Sequence, residues 1–359
     1  MSGSRITFLE GQATQGAALA RIAAHVRAGL ADPAVREALR GCRKPLFTGI
    51  GASYAALALP VRQLREAGVV SQRVLASDIE DGTAGFDTDL LIGVSQSGRS
   101  SETLAAFRAA PAGVTRVALV NVAPSPLAAC ADARVDLGNE PDSFASTTGY
   151  TGTLVALDLI AGAIAGRPED QDPWRDVEAL TERVRGSAAG TVAALRERAA
   201  RCVAADSVAA GASLASAEEG ALLLREVVRM PAASSVTRNY LHGEMESAGN
   251  TLHLVFGDGR ELGLARSLAE AGHLTLLLTT REAPAEAAPA PESLYTVRLP
   301  EVPAAVRTVL EAVVLQELVA RLSEERGLPI ESFVFANDDT KEGGLDMSDF
   351  AVAAHTLAS

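Results

Sequence analysis

One short pattern occurs twice in this chain, and no other feature constrains its fold as much. Gly49-Ile-Gly-Ala-Ser-Tyr54 returns as Ala210-Gly-Ala-Ser-Leu214, so that Gly51 finds its counterpart in Gly211, 160 positions on. Each copy follows a short apolar run and precedes a stretch rich in alanine and leucine. The same offset carries residues 90–95 onto 250–255, both apolar and both followed by a turn that contains glycine. Two related α/β halves are the simplest account, and a length of 359 residues fits two domains.

Within the first half, the apolar runs 45–50, 90–94 and 117–122 are short, carry β-branched residues and alternate with helix-length segments. That alternation predicts βαβ units around a parallel sheet. Helical periodicity covers 12–40, broken near Asp32-Pro33, then 56–67 and 151–165. The polar stretch Gly166-Arg-Pro-Glu-Asp-Gln-Asp-Pro-Trp174, with two prolines, reads as a boundary. Beyond it come a helix over 175–200, strands near 205–211, 252–256, 274–279 and 294–298, and a closing helix over 303–326. The expected organisation is a helical segment at 1–40, a first domain at 41–170, a second at 171–327, and a tail at 328–359.

Composition removes several classes of function. The 45 acidic residues outnumber 32 basic ones, for a formal charge of −13, and such a surface repels phosphodiester backbones and anionic lipid headgroups. Aromatic residues make up only 4%, too few for base-stacking platforms. No nucleic-acid partner and no membrane span are expected, because no run of eighteen apolar residues is free of charges or breakers. Cys42, Cys130 and Cys202 show no metal-ligand spacing, and no basic-plus-apolar leader is visible, so a reducing cytoplasm is expected. Only two of the basic residues are lysines, Lys44 and Lys341.

Ser95-Gln-Ser-Gly-Arg-Ser-Ser-Glu-Thr103 follows an apolar strand directly and leads into a helical pattern, where open parallel sheets place ligand loops. Gly98 permits close backbone approach, and Ser95, Ser97 and Ser100 offer hydroxyls around a helix N-terminus whose amides favour an anion. A plain serine-capped turn would look similar. Further hydroxyls at Ser53 and in Ala145-Ser-Thr-Thr148 favour a phosphate cradle, without the lysine and magnesium pattern of nucleoside triphosphate loops. The matching loop of the second half, Phe256-Gly-Asp-Gly-Arg-Glu261, has two carboxylates and no hydroxyls, so one phosphate site per chain is expected.

Gly-x-Gly-x-Ser, then Ser-Gln-Ser-Gly-x-Ser-x-Glu-Thr, then Ala-Ser-Thr before Tyr-Thr-Gly-Thr resembles the sugar isomerase (SIS) domains that bind phosphosugars. Two tandem copies resemble the isomerase half of glucosamine-6-phosphate synthase and related stand-alone deaminases, ketose–aldose isomerases and deglycases. The resemblance implies an α/β fold of two tandem SIS domains, each a parallel sheet flanked by helices in a flavodoxin-like three-layer arrangement. It implies that Ser53, Ser95, Gln96, Ser97, Ser100 and Ser146 line a sugar-phosphate site. Arg99 stands where the family commonly has Glu, and Thr148 where a Lys often follows Ala-Ser-Thr.

The same resemblance supplies roles in proton transfer. Glu226, closing Glu218-Glu-Gly-Ala-Leu-Leu-Leu-Arg-Glu226, matches the family's C1–C2 base. His242, in Leu241-His-Gly-Glu-Met-Glu246, matches its ring-opening histidine, which reaches the neighbouring subunit's site and so implies a homodimer with a shared active site. Glu244 replaces the family's proline, and Glu244 and Glu246 add carboxylates near His242, an arrangement that can raise the histidine's pKa or bind an ammonium group, whereas His-x-Glu-x-Glu is a nonspecific pattern for a metal. Lys341 falls on the C-terminal tail where the family carries a catalytic lysine, and a desolvated amine can form a Schiff base. His25, His253, His273 and His355 are expected to be structural.

The expected activity is a phosphosugar isomerase or deaminase acting on a 6-phosphorylated amino sugar or ketose–aldose pair, with no metal and no cofactor. The alternative is a non-catalytic sugar-phosphate sensor. No glutaminase segment precedes the first half and Ser2 stands where such a segment needs its cysteine nucleophile, so glutamine is not the expected nitrogen donor.

Overall fold

The structure, a computed structural model, describes residues 5–83, 85–168, 171–282, 291–331, 334–335 and 337–345. The tail beyond 345, including His355, lies outside the described residues. The chain divides into two units: one comprises the described residues up to Glu178 and those from Glu331 on, the other runs from Ala179 to Ile330.

The first unit opens with helix Phe8–Leu30 (α1). A Thr-x-x-Glu box starts it: the Thr7 hydroxyl accepts the Glu10 amide, and the Glu10 carboxylate accepts the Thr7 amide at 2.8 Å. Pro33–Arg40 (α2) begins at Asp32, which caps Ala34, with proline preset for the first helical position. Then follow Pro45–Gly49 (β1), Ala52–Ala56 (α3), Ala58–Glu66 (α4), Gln72–Leu75 (β2), Leu90–Val94 (β3), Ser101–Ala109 (α5), Thr115–Val120 (β4), Pro126–Cys130 (α6), Ala133–Asp136 (β5) and Thr148–Ala165 (α7). The five strands are parallel in the order β2-β1-β3-β4-β5. In such a sheet the order reverses between β1 and β3, which opens a crevice at their C-terminal ends. Gly93 lets α5 press onto the sheet: a β-carbon there would lie 2.3 Å from the Phe107 ring. Leu46, Leu91, Leu104, Phe107 and Ala118 form the core beneath.

Helix α7 is long and apolar enough to cross a membrane by length and composition, yet 78% of it is buried inside the protein. It carries Asp158, 1% exposed, whose carboxylate accepts hydrogen bonds from Arg167, Gln63 and the Trp174 indole N–H. A core helix tied by a buried ion pair accounts for this pattern. The same contacts fix the polar stretch read as a boundary: Trp174 is 1% exposed and Asp172 pairs with Arg27. By packing, the division between the units falls later, inside the helix Val177–Ala200 (α8).

The second unit continues with Ala204–Ala209 (β6), Leu214–Glu226 (α9), Ala232–Val236 (β7), Thr237–Tyr240 (α10), Thr251–Phe256 (β8), Arg260–Glu270 (α11), Leu274–Thr279 (β9), Leu294–Arg298 (β10) and Ala304–Glu325 (α12). Its strands are also parallel, in the order β7-β6-β8-β9-β10, which repeats the order of the first sheet. Gly51 after β1 and Gly211 after β6 occupy matching turns with φ of 56° and 65°, a left-handed conformation that favours glycine at both.

Candidate functional site

The loop between β3 and α5 sits at the β1–β3 crevice. Ser100 is the N-cap of α5 yet makes no side-chain cap. Its hydroxyl instead bonds the Ser95 hydroxyl at 2.9 Å, and both are buried. The first-turn amides of α5 are thereby left without a capping side chain, a ready site for an anion. Gly98 has φ of 65°, and a β-carbon on it would lie 2.1 Å from the Ser125 hydroxyl, so the loop closes tightly only with glycine there. The Gln96 carbonyl accepts the amides of Asn121 and Val122, which ties the loop to the end of β4. Ser53 sits over Gly49: a β-carbon on Gly49 would be 3.1 Å from that of Ser53 and 3.1 Å from the Val94 carbonyl oxygen.

The C-terminal segment lies against this loop. Lys341 forms an antiparallel bridge with Ser100, and its ammonium Nζ is 3.5 Å from the Ser97 hydroxyl. Burial lowers the affinity of the Lys341 amine for its proton; the charges of Arg99 and Arg5 act in the same sense, and Glu102 opposes them. Arg99, the loop's departure from the family pattern, donates from Nε to the Glu342 carbonyl at 2.9 Å and from Nη2 to the Gly344 carbonyl at 2.7 Å. Lys341 thus meets Ser95, Ser97 and Ser100 at one site.

Ser146 stands differently. Its hydroxyl proton goes to the Asp142 carboxylate at 2.7 Å, and its oxygen accepts the Tyr150 amide at 2.8 Å. Asp142 also accepts the Thr147 amide, so this hydroxyl cluster organises the start of α7 around a buried carboxyl whose proton affinity burial raises.

Glu226 and His242 belong to the second unit. Glu226 ends α9, and among the described residues its carboxylate has no hydrogen-bond or ionic partner. Burial alone pushes its pKa up to about 7. His242 is exposed in the turn after α10, where Gly243 takes φ of 133°. The expected cluster of carboxylates around it does not form ion pairs: the Glu244 carboxylate accepts from the Asn239 amide group at 2.5 Å, and His242 has no ionic partner among the described residues. Among those residues, no group of three or more His, Cys, Asp or Glu could hold a metal ion.

The loop after β8 contrasts with that after β3. Asp258 accepts from the Thr279 hydroxyl at 2.6 Å and from the Thr280 amide at 2.8 Å, and it pairs with Arg307. Burial would raise its pKa, but these donors outweigh that and hold it at about 2. Arg307 also bonds Glu311 at 2.8 Å, and Ser213, the counterpart of Ser53, donates to Glu311 at 2.9 Å.

Residues 38–163 match the SIS domain family, and the second parallel five-stranded sheet repeats the strand order of the first. Over 246 residues the chain is 30% identical to glutamine–fructose-6-phosphate aminotransferase [isomerizing] of Bradyrhizobium diazoefficiens, a match covering 64% of this chain and 40% of that protein. The chain therefore spans about two fifths of that relative's length. In three dimensions it is similar to the C-terminal domain of glucosamine-fructose-6-phosphate aminotransferase from Francisella tularensis, with a TM-score of 0.78 and 19% identity, covering 90% of this chain and 97% of that one. Glucosamine-6-phosphate deaminase from Thermotoga maritima gives a TM-score of 0.68 and 15% identity, covering 89% and 95%. At such identities the likeness is one of fold.

Sequence reading singled out the serines, Glu226, His242 and Lys341. It flagged Arg99 only as a departure and missed its contact with the tail, because backbone carbonyl acceptors leave no mark in a sequence. It also missed Ser125, the neighbour that demands glycine at 98.

Proposed function

We propose that the protein is a cofactor-independent phosphosugar aldose–ketose isomerase, or an amino-sugar-phosphate deaminase using the same chemistry, active as a homodimer in the cytoplasm. The observation that carries this reading is the Lys341 amine held at Ser97, beside the uncapped N-terminus of α5. Free amides and hydroxyls suit a phosphate monoester. An amine with a lowered proton affinity next to it suits attack on the open-chain carbonyl of the same sugar, with water leaving as the C=N bond forms.

In this reading His242 moves the proton that opens the sugar ring, and Glu226 carries the proton between C1 and C2. A carboxylate that titrates near 7 is matched to that task at neutral pH. An amino sugar entering the cycle releases ammonia, whereas a hydroxy sugar is only isomerised. The test is incubation with glucosamine 6-phosphate, following ammonia and fructose 6-phosphate, with glucose 6-phosphate in parallel. Turnover of either sugar supports the reading. Saturable binding of both without turnover would instead mark a sugar-phosphate sensor.

A further inference from the structure

We infer that Arg99 is a positioning residue for Lys341: its guanidinium fastens residues 342–344 to the 95–100 loop, so that the amine stays at Ser97. This rests on the proposed role of Lys341. The fork geometry carries the inference. Nε and Nη2 donate to the Glu342 and Gly344 carbonyls, which bracket Gly343. The bracketed turn is shaped around the guanidinium: Gly343 and Gly344 have φ of 82° and 74°, and a β-carbon on Gly343 would lie 3.1 Å from Nη2.

The contact is reciprocal, because the Glu342 amide donates to the Arg99 carbonyl at 2.8 Å. Loop and tail therefore share one rung of antiparallel pairing with Ser100 opposite Lys341. Among the described residues, the Ser101 hydroxyl on the Asp339 carbonyl and an ion pair of Arg108 with Glu342 also hold the segment. Both lie at exposed positions, where such interactions add little.

Arg99 contributes charge as well as shape. Both acceptors are neutral, and among the described residues no carboxylate pairs with it, so its positive charge remains uncompensated beside the Lys341 ammonium. Lysine at this position would keep the charge but lose the planar fork, and a carboxylate would have no proton for either carbonyl.

The chain's two lysines make the test clean, since Lys44 is an exposed internal reference paired with Asp87. Competitive labelling with acetic anhydride across pH, read by mass spectrometry, follows both amines in the full chain. Arg99, Arg5 and Glu102 are the charged groups acting on Lys341. In Arg99→Gln the Lys341 midpoint moves up while that of Lys44 stays. Hydrogen exchange at the Glu342 and Gly344 amides accelerates at least about tenfold in Arg99→Gln and also in Arg99→Lys, the loss expected for two hydrogen bonds. Unchanged exchange and an unchanged Lys341 midpoint in Arg99→Gln would overturn the assignment.

A third arm separates this inference from the function on which it rests. Borohydride with fructose 6-phosphate should trap an adduct on Lys341 in the wild type, falling about tenfold in Arg99→Gln. Binding of sorbitol 6-phosphate, which has no carbonyl, should stay within about twofold. An equal fall in sorbitol 6-phosphate binding would make Arg99 part of the phosphate site and overturn the positioning role. If the wild type traps nothing, the Schiff-base reading fails, and labelling and exchange still decide Arg99.

Discussion

A carboxyl group withdrawn from water and offered no hydrogen-bond donor keeps its proton to higher pH, and Glu226 is such a group among the described residues. If it is the C1–C2 base, solvent-deuterium exchange into the sugar should rise with pH through about 7 and level off above it. Glu226→Gln should abolish that exchange and leave sorbitol 6-phosphate binding intact; persistent exchange would remove Glu226 from the mechanism. The stability effect has the opposite sign. Between the ordinary carboxylate range and about 7, the unfolded chain releases this proton while the folded chain keeps it, so rising pH favours the unfolded state. At pH 8, Glu226→Gln should therefore raise stability by about 1–2 kcal/mol in a urea titration, and little or nothing at pH 4. None of this burial was legible in the sequence, where a glutamate at the end of a helix reads most simply as a solvated one.

At the scale of elements, the 95–103 loop and α5 separate two serines that look alike in the sequence. Ser100 bonds Ser95 inside the loop, whereas the Ser97 hydroxyl faces Lys341. Ser97→Ala should raise the Michaelis constant for a phosphosugar by about fivefold to tenfold without loss of stability. Ser100→Ala leaves the Ser95 hydroxyl without this buried partner and should also lower stability by about 1–2 kcal/mol. A Ser97→Ala effect that is equal on an unphosphorylated sugar would contradict the cradle. The central strands were legible because they are buried and apolar: β3 runs over residues 90–94 and β9 over 274–279 as expected, while β10, a partly exposed edge strand, also matches its expected span of 294–298. Strands β2, β5 and β7 were not. Each lies at a sheet edge, and Gln72–Leu75 and Ala232–Val236 are mostly exposed, so neither carries an apolar run. Strand β4 begins two residues before the expected 117, because Thr115 and Arg116 pair with Leu90 and Leu91 despite their polarity. The Thr7–Glu10 box that starts α1 was a readable signal that periodicity alone passed over.

On the scale of the whole molecule, one strand order serves two sheets, yet their crevices are furnished differently. In the first unit the loop after β3 offers uncapped amides and hydroxyls. In the second, Asp258 is the offset counterpart of Gly98, and its carboxylate already takes the Thr279 and Thr280 donors and the Arg307 charge. Ser213 likewise gives its hydroxyl proton to Glu311. An anion of the protein's own thus stands where a ligand phosphate would need to bind, and like charges exclude one another there. Calorimetry with sorbitol 6-phosphate should give one site per chain, and a stoichiometry of two would contradict this. Because Asp258 stays ionised down to about pH 2, its folded pKa lies below the unfolded value; its contribution is present above the ordinary carboxylate range and is lost only in strong acid. Asp258→Asn should therefore cost about 1–3 kcal/mol at pH 7 by leaving the half-buried Arg307 without its full charge partner, while the single site in the first unit persists. Retained stability in Asp258→Asn would mean that the second crevice is not held shut by this pair, and the argument for one site per chain would then rest on the first unit's loop alone.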